Sequence, residues 1–233
     1  MMTKLCVLAL LASGCAKTES SDLLTSGIYA DLSARSTGMG TTTVYATLYV
    51  GNPNNLNFVE LTGNDKLIAS YGADHKAMIQ TELLNIVSHA AEFSTDAEGA
   101  VFEVALERSV DAGAPKSTVT LPAAFTLNPA PANASRAAPL ALSWSSSAST
   151  DAMAWKATGG CIGDTQGTIT GDPGSWMIQA GTFIKRDGQN IPDSCMVTIT
   201  MTRSRTGVVD SHYGKGGTAV GIQERTVSVT STP

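Results

Sequence analysis

The sequence predicts an all-β chain folded as two tandem antiparallel β-sandwiches, and three observations predict it. Apolar residues recur with a period of two along most of the chain, the mark of strands with one buried face. Charged residues make up 15% of the 233, while Ser, Thr, Gly and Ala abound, a composition apolar enough to fold. Glycine- and proline-rich breaks punctuate the alternating runs, and a dense one lies mid-chain between Pro129 and Pro139. The halves on either side are similar in size and share no residue-level repeat, which fits two sandwiches better than one giant sheet.

At the start, Lys4 precedes the apolar run Leu5–Ala12, followed by Ser13-Gly14-Cys15. The run is far shorter than the ~20 residues that span a bilayer, so it reads as an export signal rather than a transmembrane helix. The arrangement resembles a bacterial lipoprotein signal, with residues 1–14 removed. The resemblance implies diacylglycerol on the Cys15 sulfur and an acylated new amino terminus. One chain, at about 0.8 kcal/mol per buried methylene, anchors weakly, whereas two or three hold. Ala12 stands where the family prefers Leu, and Ala16 where members kept at the inner membrane carry Asp. The resemblance therefore implies the outer membrane, with the leaflet left open. Residues 15–23 read as a lipidated tether, polar and solvated from Lys17 to Asp22.

The first sandwich is expected over 24–122, with about seven strands. Ile28, Ala30, Leu32 and Ala34 share one face, as do Val44, Ala46, Leu48 and Val50, and Thr37-Gly38-Met39-Gly40 supplies the turn between them. Phe58–Thr62 and Lys66–Tyr71 flank Gly63-Asn64-Asp65, a hairpin signal. Met78–Phe93 fits helical spacing through Ile79, Leu83, Ile86 or Val87, and Ala90. Two strands with a turn near Leu84-Asn85 suit the surrounding meander better. Ala100, Phe102, Val104 and Leu106 then alternate with polar neighbours, and Val119 and Leu121 close the half.

The second sandwich is expected over 123–233. Leu140, Leu142 and Trp144 share a face, as do Met153, Trp155 and Ala157, then Trp176, Ile178 and Ala180, and lastly Cys195, Val197, Ile199 and Met201. Cys195 thus points inward, and Thr198, Thr200 and Thr202 form that strand's wet face. Ile222 and Val227 are an odd number apart, which calls for a bulge or a change of partner between them. The tryptophans and buried cysteine resemble an immunoglobulin-like core, although the order Trp144, Trp155, Cys161, Trp176, Cys195 departs from the antibody pattern. The resemblance implies a sandwich of immunoglobulin or fibronectin-III type.

Export settles how the cysteines read. With Cys6 lost in the signal and Cys15 lipidated, Cys161 and Cys195 remain as an even pair in an oxidising compartment, most simply a disulfide. A redox pair or half a metal site would need closer spacing or accompanying histidines.

Chemistry is sparse. His75, His89 and His212 are scattered, and each reads as a loop or surface residue. No Gly-x-Ser-x-Gly elbow occurs, and Gly214-Lys215-Gly216-Gly217 lacks the spacing of a phosphate loop. Glu103 and Glu107 stand roughly 13 Å apart along one strand, too far for a shared acid–base site. Asp164, Asp172, Asp187 and Asp193 sit beside glycines or prolines and read as turn residues. No cofactor or metal is implied. Removing Lys4 leaves fourteen basic residues against twenty acidic, a formal charge of −6, and no basic cluster, which argues against nucleic acid. The segment with most chemical variety runs from Arg203 to Gly217, with Arg205, Asp210, His212, Tyr213 and Lys215. A loop this long in a compact sandwich is often functional, so these residues form a candidate partner-binding loop.

Several runs together resemble uncharacterised lipoproteins of predatory and myxobacteria-type Gram-negative bacteria: the signal, Val104–Arg108, Gly113-Ala114-Pro115, Ser117–Pro122 and Ser228–Pro233. These are strand and turn residues, so the resemblance implies architecture and compartment and carries no catalytic residue. The leading expectation is a non-enzymatic envelope module that binds a protein or glycan partner through loops such as Gly207–Gly217. Its rival is a hydrolase or metal-dependent enzyme assembled from His212, Asp210 and acidic loop residues.

Overall fold

A computed structural model describes residues 16–233 and is all-β. Cys15 and the signal lie outside the described residues. In the first half the strands are Ala16–Glu19 (β1), Ile28–Ser36 (β2), Thr42–Val50 (β3), Asn57–Glu60 (β4) and Lys66–Tyr71 (β5). Asp74–Ala77 (β6), Ile79–Leu83 (β7), Ile86–Phe93 (β8), Val101–Glu107 (β9) and Ala114–Thr120 (β10) follow. The second half holds Asn133–Ser135 (β11), Leu140–Ser143 (β12), Ala152–Gly159 (β13) and Thr165–Ile169 (β14). Ser175–Ile178 (β15), Cys195–Thr206 (β16) and Gly217–Thr232 (β17) complete it. Among the described residues no helix is long and apolar enough to cross a membrane.

Two hydrophobic cores form, as period-two strands require. In the first, β2 and β3 turn Ile28, Ala30, Leu32, Val44, Ala46 and Leu48 toward a four-stranded sheet ordered β10-β9-β5-β6. In the second, β17, β16, β13 and β14 face the pair β12–β15, and Trp144, Trp155 and Cys161 lie between them. Each core is thus enclosed between β-sheets, the sandwich arrangement expected, although the expected all-antiparallel pairing is broken where β1–β4, β2–β17 and β11–β17 run parallel.

The expected division at residue 123 is crossed by the sheet. An eleven-stranded sheet runs β1-β4-β3-β2-β17-β16-β13-β14 along its main path. Gly217–Gln223 of β17 pair in parallel with Ala30–Ser36 of β2, while Val220–Ser231 pair antiparallel with β16 in one unbroken register. Tyr213 and Ala219 therefore belong to the first core. No bulge separates Ile222 from Val227. Ile222 lies on the opposite face, and β17 changes partner from β2 to β11, which pairs with Thr230–Thr232.

The tether expected over 15–23 is folded chain from Ala16 onward. β1 pairs in parallel with β4, and the fully buried Arg108 guanidinium donates to the carbonyls of Ser20 and Leu23. Arg108 also pairs with buried Asp65 at 3.0 Å, so polar groups that read as solvated are satisfied inside the fold. The hairpin expected around Gly63-Asn64-Asp65 is instead a crossing between sheets, because β4 pairs with β3 and β1 while β5 pairs with β9 and β6. Met78–Phe93 is the two-stranded alternative: β7 and β8 meet at Leu84 (φ 51°) and Asn85 (φ 65°). His89 corrects the surface reading of the histidines. It is buried in β8, burial pushes its imidazole below the usual range, and Nε2 lies 3.2 Å from Gln80 Oε1.

Cys161 and Cys195 are disulfide-bonded, with Cα atoms 5.7 Å apart. The bond joins the β16 start to the loop after β13. Replacing both cysteines with alanine is expected to lower stability by about 4 kcal/mol, the loop-closure entropy of a ring of about 35 residues. Urea unfolding of the mature protein measures it, and an unchanged midpoint would refute a stabilising role.

Candidate functional site

The structure reassigns most of the predicted binding loop. Arg203 and Arg205 lie within β16, on the face that also carries Val197, Ile199 and Met201. Arg203 is fully buried. It pairs with Asp172 at 2.8 Å, donates from Nη1 to the Ala123 carbonyl (2.9 Å) and Ser147 Oγ (2.9 Å), and lies 5.2 Å from the Phe125 ring centroid. Burial would raise the Asp172 carboxyl, yet hydrogen bonds from Trp144 Nε1 and the Ser147 amide, with Arg203 beside it, hold it at about 2. Asp172, read from sequence as a turn residue, is thus half of a buried ion pair at the junction of the two cores. Arg205 grips Asp151 through Nε and Nη2, both at 2.8 Å.

The segment beyond β16 is tied down to β10. Thr118 and Val208 exchange amide–carbonyl bonds of 2.8 and 2.9 Å, and Asp210 accepts from the Lys116 amide at 2.6 Å. Gly207 permits this seat, since a Cβ there would fall on the Thr118 carbonyl oxygen. Asp210 also accepts from the His212 amide (2.9 Å) and Nδ1 (2.7 Å). Burial works to raise its carboxyl, but those bonds keep it below the usual range. Tyr213 is 2% exposed, and burial pushes its phenol up. Only His212 and Lys215 of the six predicted residues stand exposed. The Asp210–His212 pair forms within a tight turn and lines neither depression described below.

The structure places a concave site elsewhere, on the outer face of the large sheet. A depression of about 680 Å³ crosses β14, β13, β16, β17 and β2. Cross-strand register aligns Gln166, Lys156 and Thr200 in one row, and Thr168, Ala154, Thr202 and Glu224 in the next. Ala154 and the threonines are short, while Lys156, Gln166 and Arg35 are long, so the floor is low and the walls are high. Arg35 and Glu224 form an ion pair at one end, and Lys156 lies 3.7 Å from Asp164 at the other. The lining is mainly apolar, with Trp155 and Gly167 among its residues, and carries three threonine hydroxyls, the Gln166 amide and charged groups that each have an opposite charge nearby. A second crevice of about 500 Å³ lies between the two cores, against Phe125 and Arg225. Thr200 and Thr202 were legible as a wet face; the trough was not, because it is assembled laterally from strands far apart in sequence.

No protein-family model matches the chain, and no curated protein resembles it in sequence. Among solved structures it overlaps the chicken CNTN1 FN1–FN3 domains at 9% identity and TM-score 0.31, covering 87% of this chain and 64% of that one. It overlaps the Yersinia pseudotuberculosis adhesin InvE at 13% and 0.23, covering 86% and 58%. It also overlaps Bacteroides ovatus SGBP-B, in complex with a mixed-linkage heptasaccharide, at 9% and 0.22, covering 99% and 70%. The chain thus spans under two thirds of the first two. These overlaps are too loose to bear on function, and the sandwich character is carried by the sheets and cores themselves.

Proposed function

We propose that the protein is a non-enzymatic binding module, lipid-anchored at Cys15 in the outer membrane, that receives a neutral glycan across the outer-face trough. The observation that supports the glycan is the trough itself: threonine hydroxyls, the Gln166 amide and paired charges offer donors and acceptors with little net charge. A polyhydroxylated chain matches that pattern. The Lys4, Leu5–Ala12 and Ser13-Gly14-Cys15 sequence supports the anchor.

Calorimetry against neutral oligosaccharides from envelope polysaccharides tests the site. The wild-type protein is expected to bind, and Thr200→Val with Thr202→Val to weaken binding about tenfold through lost hydrogen bonds, roughly 1.4 kcal/mol. Equal affinity in the double variant removes the glycan from this face. For the anchor, Cys15→Ser is expected to move the protein from the membrane to the soluble fraction.

A further inference from the structure

Exposed leucines gather at one end of the first core. Leu24 is 65% exposed, Leu56 54%, Leu83 73% and Leu84 83%. β2 starts at that end with Ile28 opposite Val50, the last residue of β3, and the Gly51 amide donates to the Gly27 carbonyl three residues beyond Leu24. β8 runs antiparallel to β3 with His89 opposite Ala46, which carries the Leu84–Asn85 turn toward the level of Val50. Leu56 sits beside the first described residue, its carbonyl accepting from the Ala16 amide at 3.2 Å. Lys17 Nζ lies 2.9 Å from Glu82 and 3.2 Å from Glu60, which draws the β7–β8 hairpin to the same place.

Two of these leucines are in the wrong places for a free protein. Leu56 (φ 47°) and Leu84 (φ 51°) hold left-handed backbone conformations that favour Gly, Asn or Asp, and β7–β8 is the kind of two-residue turn where Asn-Gly excels. Neither side chain is buried in a core. Both side chains therefore face solvent from backbone conformations that do not favour leucine, where a contact outside the chain would bury them.

We propose that this end of the fold is a bilayer-contact surface, with Leu56, Leu83 and Leu84 seated at the boundary between headgroups and acyl chains. The proposal rests on lipidation of Cys15 and commits to a lipid surface because of chain length. Cys15 immediately precedes Ala16, which is already fixed in β1. One residue reaches ~3.5 Å, less than the ~5–10 Å to which interfacial side chains sink. Acyl chains on Cys15 therefore bring the neighbouring leucines to the membrane with no linker to hold them off. Lys17 neutralises part of the charge of Glu60 and Glu82 beside the contact.

The test uses the full-length, processed protein carrying Leu84→Cys, labelled with an environment-sensitive fluorophore and reconstituted in phosphatidylethanolamine–phosphatidylglycerol vesicles. Met177→Cys, on β15 of the second core and exposed in the wild type, is the control. The label at 84 is expected to shift to the blue and to be quenched several-fold more by shallow nitroxide lipids than the label at 177. Equal quenching and equal iodide access at the two positions, in protein that floats with the vesicles, overturn the contact and leave the anchor standing. Failure of the unsubstituted protein to float with the vesicles overturns the anchor, and the contact with it.

Discussion

Residues 16–122 produced without the remainder are expected to show no cooperative unfolding transition. The reason is the path of β17, whose first seven residues are the parallel neighbour of β2. Without them β2 becomes a bare edge, and the first core loses Tyr213 and Ala219. Truncating a large buried aromatic alone costs about 3–5 kcal/mol, and a domain's whole stability is about 5–15 kcal/mol. The loss extends to β10, where the buried Ser117 hydroxyl accepts from the Asp210 amide at 3.0 Å and Lys116 would lose its carboxylate acceptor. Circular dichroism during a urea titration measures the outcome. A sharp transition in the 16–122 fragment would show that the first core stands without the C-terminal strand.

The other large effect is expected at Arg203 and Asp172, whose side chains are 0% and 1% exposed. Removing either partner alone, as Asp172→Ala or Arg203→Met, leaves a buried charge without its counter-ion and should cost about 3–5 kcal/mol. Replacing both with apolar residues, Arg203→Met with Asp172→Leu, should recover part of that loss, because two desolvation penalties disappear together. The pair also sets an acid limb. The folded carboxyl titrates at about 2, below the ordinary unfolded value, so its contribution is full above the unfolded value and fades as pH falls toward the folded one. That contribution is about 2 kcal/mol, lost between about pH 4 and pH 2. Unfolding free energies of wild type and Asp172→Asn, compared at neutral and acidic pH, check it. The gap between them should narrow on acidification, and a constant gap excludes this carboxylate as its source.

The sequence made the strands readable and their company unreadable. Alternation at Ile28–Ala34, Val44–Val50 and Ala100–Leu106 is written locally, since side chains on one strand face one core. The Gly63-Asn64-Asp65 turn shows why local signals stop short: a turn reverses the chain without stating which sheet the next strand joins. Pairing of β17 with β2 joins residues almost at opposite ends of the chain, and no residue in either strand announces it. Arg203–Tyr213 misled for the same reason. Polar and aromatic residues in a glycine-bounded stretch read as surface until β10 is seen beneath them and Asp172 is seen opposite Arg203. The leucines at 56 and 84 were visible as letters, but their oddity depends on backbone angles that only the folded chain supplies.

The shared β16–β17 ladder carries a mechanical consequence. At ~3.3 Å per residue, sixteen residues of β17 make a spar of roughly 50 Å that passes from one core into the other without a joint. Between its ends the strand pairing is unbroken, so the trough and the Ala16 end belong to one continuous sheet rather than to two domains joined by a linker. A force along that axis would load the ladder in shear, with many hydrogen bonds sharing the strain at once, whereas a linker between two separate domains would stretch first.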